Sequence, residues 1–106
     1  MGDRVLIQIV AKDGEFSPII YGHWAGSTAK AAIARLKKRM KDRLNDVSYS
    51  AARMVQELIN DDEADTGFGL MHADKILTAD DSQGDAGVIL VDARTFKCTY
   101  LGGYLK

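Results

Sequence analysis

The chain has a single cysteine and a single proline among its 106 residues. One cysteine, Cys98, excludes a disulfide within the chain, so the fold is not that of a disulfide-stapled scaffold. One proline, Pro18, and an apolar fraction of 46% exclude a proline-rich or disordered composition. The composition therefore predicts a globular domain that folds around a hydrophobic core.

Long hydrophobic runs are also missing. Uninterrupted apolar stretches reach four residues, as from Val88 to Val91, whereas a membrane-spanning helix needs about 20. The first residues, MGDRVLIQIVAKDG, carry an acid before a short apolar run, which is not the pattern of a secretory signal. Together with the unpaired cysteine, these features predict a cytoplasmic protein with no membrane partner.

Net charge is close to zero, at −1, which does not favour a dedicated nucleic-acid or membrane-surface binder. The charges are nevertheless separated along the sequence. Residues 1–59 carry ten Lys or Arg against six Asp or Glu, and residues 60–106 carry four against nine. This separation predicts surfaces that orient a partner, either another protein or a second copy of the chain.

Hydrophobic periodicity predicts five strands and two helices. Apolar residues spaced three and four apart indicate helices beginning near Ser27 and near Asp46. A polar stretch, 60–67, links the second helix to the third strand. The strands are expected at 4–11, 18–24, 68–72, 87–93 and 96–105. The order ββααβββ predicts one α+β domain, residues 1–106, with two amphipathic helices on one face of an antiparallel sheet.

The stretch YGHWAGS, residues 21–27, contains the only tryptophan and lies between a strand and a helix. Alternation along the strand puts Trp24 on the same face as Ile20, so Trp24 is expected in the core beside the helices. Tyr21 and His23 then project from the opposite face. Histidine is polar and titratable and has few structural duties on that face, and we therefore select His23 and Tyr21 as candidate binding residues.

Basic side chains concentrate in the first helix, where residues 30–43 hold seven of the 14 Lys and Arg. Four lysines lie opposite the apolar face at helical spacing: Lys30, Lys37, Lys38 and Lys41. Such a stripe can bind phosphates or an acidic partner, but it is also the ordinary solvated face of an amphipathic helix. No aromatic residue alternates with the lysines to stack bases, so nucleic-acid binding is possible but not favoured.

The loop ADDSQGDAG, residues 79–87, is the sequence's best candidate for a metal site. Asp80, Asp81 and Asp85 supply the oxygen ligands that hard divalent cations prefer, although the spacing is not that of an EF-hand. Such a site, helped by His23 or His72, would define a divalent-cation-dependent enzyme or ligand-binding domain. The alternative is a solvated turn whose Asp and Ser side chains bond their own backbone.

Catalytic motifs are otherwise missing from the sequence. Cys98 alternates with aromatic residues in FKCTY, a pattern typical of a small buried residue. No glycine-rich dinucleotide motif and no nucleophile-elbow motif is present. The favoured function is a non-catalytic protein-interaction or regulatory module that uses its charge-segregated surfaces and needs no cofactor. The alternatives are the cation-dependent site and nucleic-acid binding through helix 30–43.

Overall fold

The computed structural model describes residues 3–60 and 67–105. These residues form two helices and five strands, and they confirm the predicted α+β class and the ββααβββ order. The predicted linker lies largely outside the described residues, at 61–66. The elements are β1 (Val5–Val10), β2 (Ile19–Gly22), α1 (Gly26–Arg39), α2 (Val47–Asn60), β3 (Phe68–Met71), β4 (Gly87–Asp92) and β5 (Cys98–Leu101), with a 3₁₀ turn at Ala79–Asp81.

The strands form one mixed sheet in the spatial order β3-β2-β1-β4-β5. Three neighbouring pairs are antiparallel, but β1 and β4 run parallel, with Val5 opposite Gly87 and Val10 opposite Asp92. The expectation of a wholly antiparallel sheet was therefore wrong at this pair. A parallel pair needs a long crossover connection, and the helices and β3 provide one between β1 and β4.

Both helices pack on one face of the sheet. Alternate residues of the central strands point to this face, including Ile7 on β1 and Ile89 on β4, and they are fully buried. They meet the apolar faces of the helices, where Leu36, Met40, Met54 and Leu58 have no exposed surface. This interdigitated layer is the main core of the domain. Neither described helix is long and apolar enough to cross a membrane.

The opposite face of the sheet is covered in part by the β3–β4 connection. Leu77 packs there against Leu6 and Val88 in a second, smaller apolar cluster. Gln8, which is fully buried, fixes this connection with its side chain. Its amide donates to the carbonyls of Ser17 and Lys75, at 3.1 and 3.0 Å, and its oxygen accepts from the Leu77 amide at 2.9 Å. Because this buried side-chain amide forms all three hydrogen bonds, Gln8 holds the β3–β4 connection in place over the sheet.

Candidate functional site

The Trp24 side chain lies on the surface rather than in the core, because β2 ends at Gly22 and strand alternation stops there. Trp24 is 57% exposed, so the expectation that it packs beneath the helices was wrong. Ala25 takes the inner position and is 3% exposed. A β-carbon at Gly22 would stand 2.6 Å from that of Ala25, which explains the glycine at this corner.

Tyr21 and His23 lie together at the same corner. The Tyr21 hydroxyl is 2.8 Å from Nδ1 of His23, and the His23 ring meets Trp24 edge to face with centroids 4.5 Å apart. The nearby Asp85 carboxylate is bonded to Arg4 at 2.8 Å. That hydrogen bond is the main cause that lowers the pKa of Asp85, and the charge of His23 contributes less. The corner is therefore an aromatic surface beside the Arg4–Asp85 ion pair, in which the two charges neutralise each other.

Two of the three carboxylates of the predicted metal loop, those of Asp81 and Asp85, are bonded by other groups of the protein. The Asp81 carboxylate accepts a hydrogen bond from the Thr78 amide at 2.7 Å and forms an ion pair with Lys75 at 3.3 Å. The bond from the Thr78 amide is the main cause that lowers the pKa of Asp81, and Lys75 contributes less. Asp85 is held by Arg4, and Asp80 is exposed. Within residues 3–60 and 67–105, no group of three or more His, Cys, Asp or Glu side chains is placed to hold a metal ion. The described residues therefore supply no ligand cluster for the metal hypothesis.

The remaining groups considered for catalysis are spread across the molecule. His72 follows β3 and is 2.8 Å from Asp74 on an exposed loop, whereas Cys98 begins β5 at the opposite edge of the sheet. Burial raises the pKa of the Cys98 thiol, which disfavours the reactive thiolate. His72, Cys98 and the Asp80–Asp85 loop therefore do not form a common pocket in the described part of the chain.

The arginines of the basic helix are held in contacts within the protein. Glu57 of α2, which is 6% exposed, accepts a 2.7 Å bond from each of Arg35 and Arg39. Arg43 bonds Asp46 at 2.9 Å and covers the ring of Tyr49 at 3.8 Å. These guanidinium groups join the two helices, so they are not available as a free cationic surface.

The four lysines predicted to share one face are all exposed, as expected, but their surroundings differ. Lys30 lies over the ring of Tyr100, 4.8 Å from its centroid. Lys38 projects from the last turn of α1. Lys37 and Lys41 instead border a concave surface beside the β4–β5 turn. The lysine stripe is thus divided, and only part of it forms a concave site.

We call this concave surface the cationic pocket. It has a volume of about 420 Å³, and its wall and floor are formed by Lys37, Lys41, Leu44, Arg94, Thr95, Phe96 and Lys97. Arg94 and Lys97 come from a turn about 50 residues further along the sequence than the helix. Sequence reasoning missed them because charge clustering in one segment does not show which distant turn folds against it.

The backbone of the β4–β5 turn sets the far wall of the cationic pocket. Asp92 accepts the amides of Arg94 and Thr95 at 2.8 and 2.9 Å, and its carbonyl accepts the Phe96 amide at 2.9 Å. Phe96 has φ of 60°, a left-handed conformation that a bulky residue seldom adopts. Its ring is buried in the main core, and this packing holds the turn in place. Arg94 and Lys97 consequently face Lys37 of α1 and Lys41 just after it.

The cationic pocket has the electrostatic character of an anion site. Among the described residues, four cations line it and no carboxylate does. None of Lys37, Lys41, Arg94 and Lys97 forms an ion pair with another residue of the described chain. Leu44, which is 48% exposed, adds an apolar wall. The arrangement can hold an acidic group while an attached apolar group packs on the floor.

No protein-family model, no curated protein and no solved structure matches this chain.

Proposed function

We propose that the protein is a non-catalytic interaction module that binds an acidic segment of a partner protein in the cationic pocket. The observation that supports this most directly is the convergence of four cations on one concave surface: Lys37 of α1, Lys41 just after α1, and Arg94 and Lys97 of the β4–β5 turn. None of them forms an ion pair with another described residue. Positive charges collected around a low-dielectric cleft attract an anion more strongly than the same charges on a convex face.

The apolar part of the pocket favours a peptide over a bare anion. Leu44, which is 48% exposed, gives a surface on which an apolar side chain of the partner can pack, and burial of such a side chain contributes about 1.5–3 kcal/mol. Protein interfaces combine a buried apolar contact with a polar rim. An acidic segment that carries an apolar residue fits both features.

Nucleic acid satisfies the charge of the pocket but not its other features. The one aromatic residue that lines it, Phe96, is 5% exposed and offers no ring face for a base. The distant exposed rings of Trp24 and Tyr104 do not line the pocket. We therefore treat an oligonucleotide as the competing ligand in the test.

Binding can be tested with a labelled Glu-rich peptide that contains one leucine, compared with the same peptide without leucine and with duplex DNA. At about 50 mM salt we expect the leucine peptide to bind most tightly, and its affinity to fall as salt screens the charges. Reversing the charge of Lys37 and Lys41 together, by K37E and K41E, should weaken binding at least about tenfold.

The matched control is K38E, compared with K37E alone: both reverse one lysine in the last turn of α1, but Lys38 does not line the pocket. It should change the peptide affinity by less than about twofold. Equal loss in K38E and in the pocket variants would contradict a defined site. Tighter binding of duplex DNA than of either peptide would replace the acidic-protein assignment with nucleic-acid binding.

A further inference from the structure

Strand β3 forms one edge of the sheet and carries unusually exposed apolar side chains. Leu70 is 64% exposed and Met71 is 38% exposed. The strand, FGLM, contains no charged residue and no proline. Monomeric proteins usually protect an edge strand with charged residues or proline, because an unprotected edge pairs readily with another strand.

The outer backbone groups of β3 are available for such pairing. In the β2–β3 pair, Gly69 lies opposite Tyr21, and by the same register Gly67 lies opposite His23. The His23 amide donates a hydrogen bond to the Gly67 carbonyl at 2.7 Å. In an antiparallel pair the bonded positions alternate, so Gly67, Gly69 and Met71 bond β2. The amides and carbonyls of Phe68 and Leu70 therefore point away from β2. No other described residue pairs with them.

The Leu70 side chain lies beside an apolar groove on the helical face of the sheet. The groove has a volume of about 320 Å³ and is lined by Phe16 and Pro18 before β2 and by Val47, Ala51 and Val55 of α2. Helix α2 packs over the inner strands and leaves Leu70 uncovered. A further strand beside β3 would place its side chains next to Leu70 and along this groove.

We propose that two copies of the chain associate through β3, making one continuous sheet across a two-fold axis. In the self-complementary antiparallel register, Phe68 of one copy pairs with Leu70 of the second copy, and Gly69 lies opposite Gly69. The outward amides and carbonyls of Phe68 and Leu70 are the groups that bond in this register. The two α2 helices then flank a shared apolar strip formed by Phe68 and Leu70 of both copies.

The residues of β3 explain why a second copy fits this edge. Gly69, at the two-fold axis, has open space around it, since a β-carbon there would meet nothing within 4 Å. Because β3 carries no charge, two identical strands meet without like-charge repulsion. The other edge strand, β5, is less suited: Tyr100 there is only partly exposed and lies beneath Lys30.

Sedimentation velocity and light scattering over about 1–100 µM protein test the proposal, and a dimer is expected. L70K should be monomeric, because it places a charge in the shared apolar strip. It should keep the wild-type melting temperature at concentrations where both are monomeric, since Leu70 is largely exposed. The matched control, L44K, alters a similarly exposed leucine in the cationic pocket and should remain dimeric.

Disulfide trapping defines the register. In a C98S background, G69C should form a covalent dimer with oxidised glutathione, because opposite residues at a non-bonded antiparallel position have Cα atoms about 4.5 Å apart. The control T99C, on β5, should not. A wild-type chain that stays monomeric throughout the concentration range, or equal trapping of G69C and T99C, would overturn the proposal. Dimerisation through an uncharged strand should also persist at high salt, unlike peptide binding in the cationic pocket.

Discussion

Gly103 packs backbone to backbone against Gly87, across the end of the β4–β5 pair. A β-carbon at Gly87 would lie 2.7 Å from the Gly103 nitrogen and 2.9 Å from its α-carbon, and Gly87 has φ of 97°. Both the space and the backbone conformation therefore require glycine at position 87. The contact joins the segment after β5 to the start of β4, which is one strand of the parallel β1–β4 pair.

We predict that Gly87→Ala destabilises the fold by at least about 2 kcal/mol, because overpacking and positive-φ strain add. Chemical denaturation measures this free energy of unfolding. Gly69→Ala is the matched control, since that glycine has open space around it. A change within about 0.5 kcal/mol is expected for the control. Similar losses of stability in the two variants would show that the Gly87–Gly103 contact is not the reason that position 87 requires glycine.

Trp24→Ala should change stability by less than about 1 kcal/mol, because the indole is 57% exposed. A tryptophan buried beneath the helices would instead cost about 3–5 kcal/mol when truncated. The fluorescence of this single tryptophan gives an independent measurement. Its emission should already be that of a water-exposed indole in the folded protein and should shift little on unfolding. A strongly blue-shifted native emission would contradict the surface position.

Asp3 provides the missing cap of α1. The helix begins at Gly26 without a side-chain cap from its own N-cap residue, and Asp3 accepts the Ser27 amide at 2.9 Å. The Tyr104 hydroxyl donates to the other oxygen of the same carboxylate. Asp3→Ala should therefore cost about 0.5–2 kcal/mol of stability.

The same Asp3 variant should change the titration of Tyr104. The hydrogen bond to the Asp3 carboxylate is the main cause that raises the pKa of Tyr104 to about 12. Absorbance of the tyrosinate at alkaline pH should show one tyrosine that titrates closer to the ordinary value of 10.0 in Asp3→Ala than in the wild type. Tyr104→Phe identifies that signal by removing it. An unchanged tyrosine titration in Asp3→Ala would contradict this contact.

Local patterns in the sequence were sufficient to predict the two helices. Every apolar position predicted for α1 from Ala29 to Met40 is buried, and Asp46 caps α2 by accepting the Tyr49 amide at 3.0 Å. These features depend on residues three or four apart, whose relation is fixed by helical geometry. The cap of α1 lies outside this local pattern, because it is Asp3, 23 residues before the first helical residue.

Features that depend on distant residues could not be predicted in the same way. The parallel β1–β4 pairing joins segments about 80 residues apart, and no local turn signal specifies it. For the same reason the lysines of α1 were identified, whereas Arg94 and Lys97, which complete the cationic pocket, were not. Trp24 was misplaced because the alternating pattern was extended two residues beyond the end of β2.

Acid should weaken the contact between the two helices through Glu57. Hydrogen bonds from Arg35 and Arg39 are the main causes that lower the pKa of Glu57 below its ordinary 4.5. A carboxylate with a lowered pKa in the folded state stabilises the protein fully above its unfolded pKa, and loses this contribution as pH falls through the folded value. Wild-type stability should therefore fall with decreasing pH below about 4.5.

Glu57→Gln should remove that part of the acid dependence and cost about 1–3 kcal/mol near neutral pH. This loss is smaller than for a fully buried ion pair, because the arginine side chains are 41% and 38% exposed. Denaturation curves at pH 7 and at about pH 3 measure both effects. Glu15→Gln is the matched control, because the Glu15 side chain is exposed and its replacement should leave the stability at pH 7 within about 0.5 kcal/mol of the wild type. If Glu57→Gln kept the full acid sensitivity of the wild type, other carboxylates with lowered pKa, such as Asp46 and Asp92, would have to account for it.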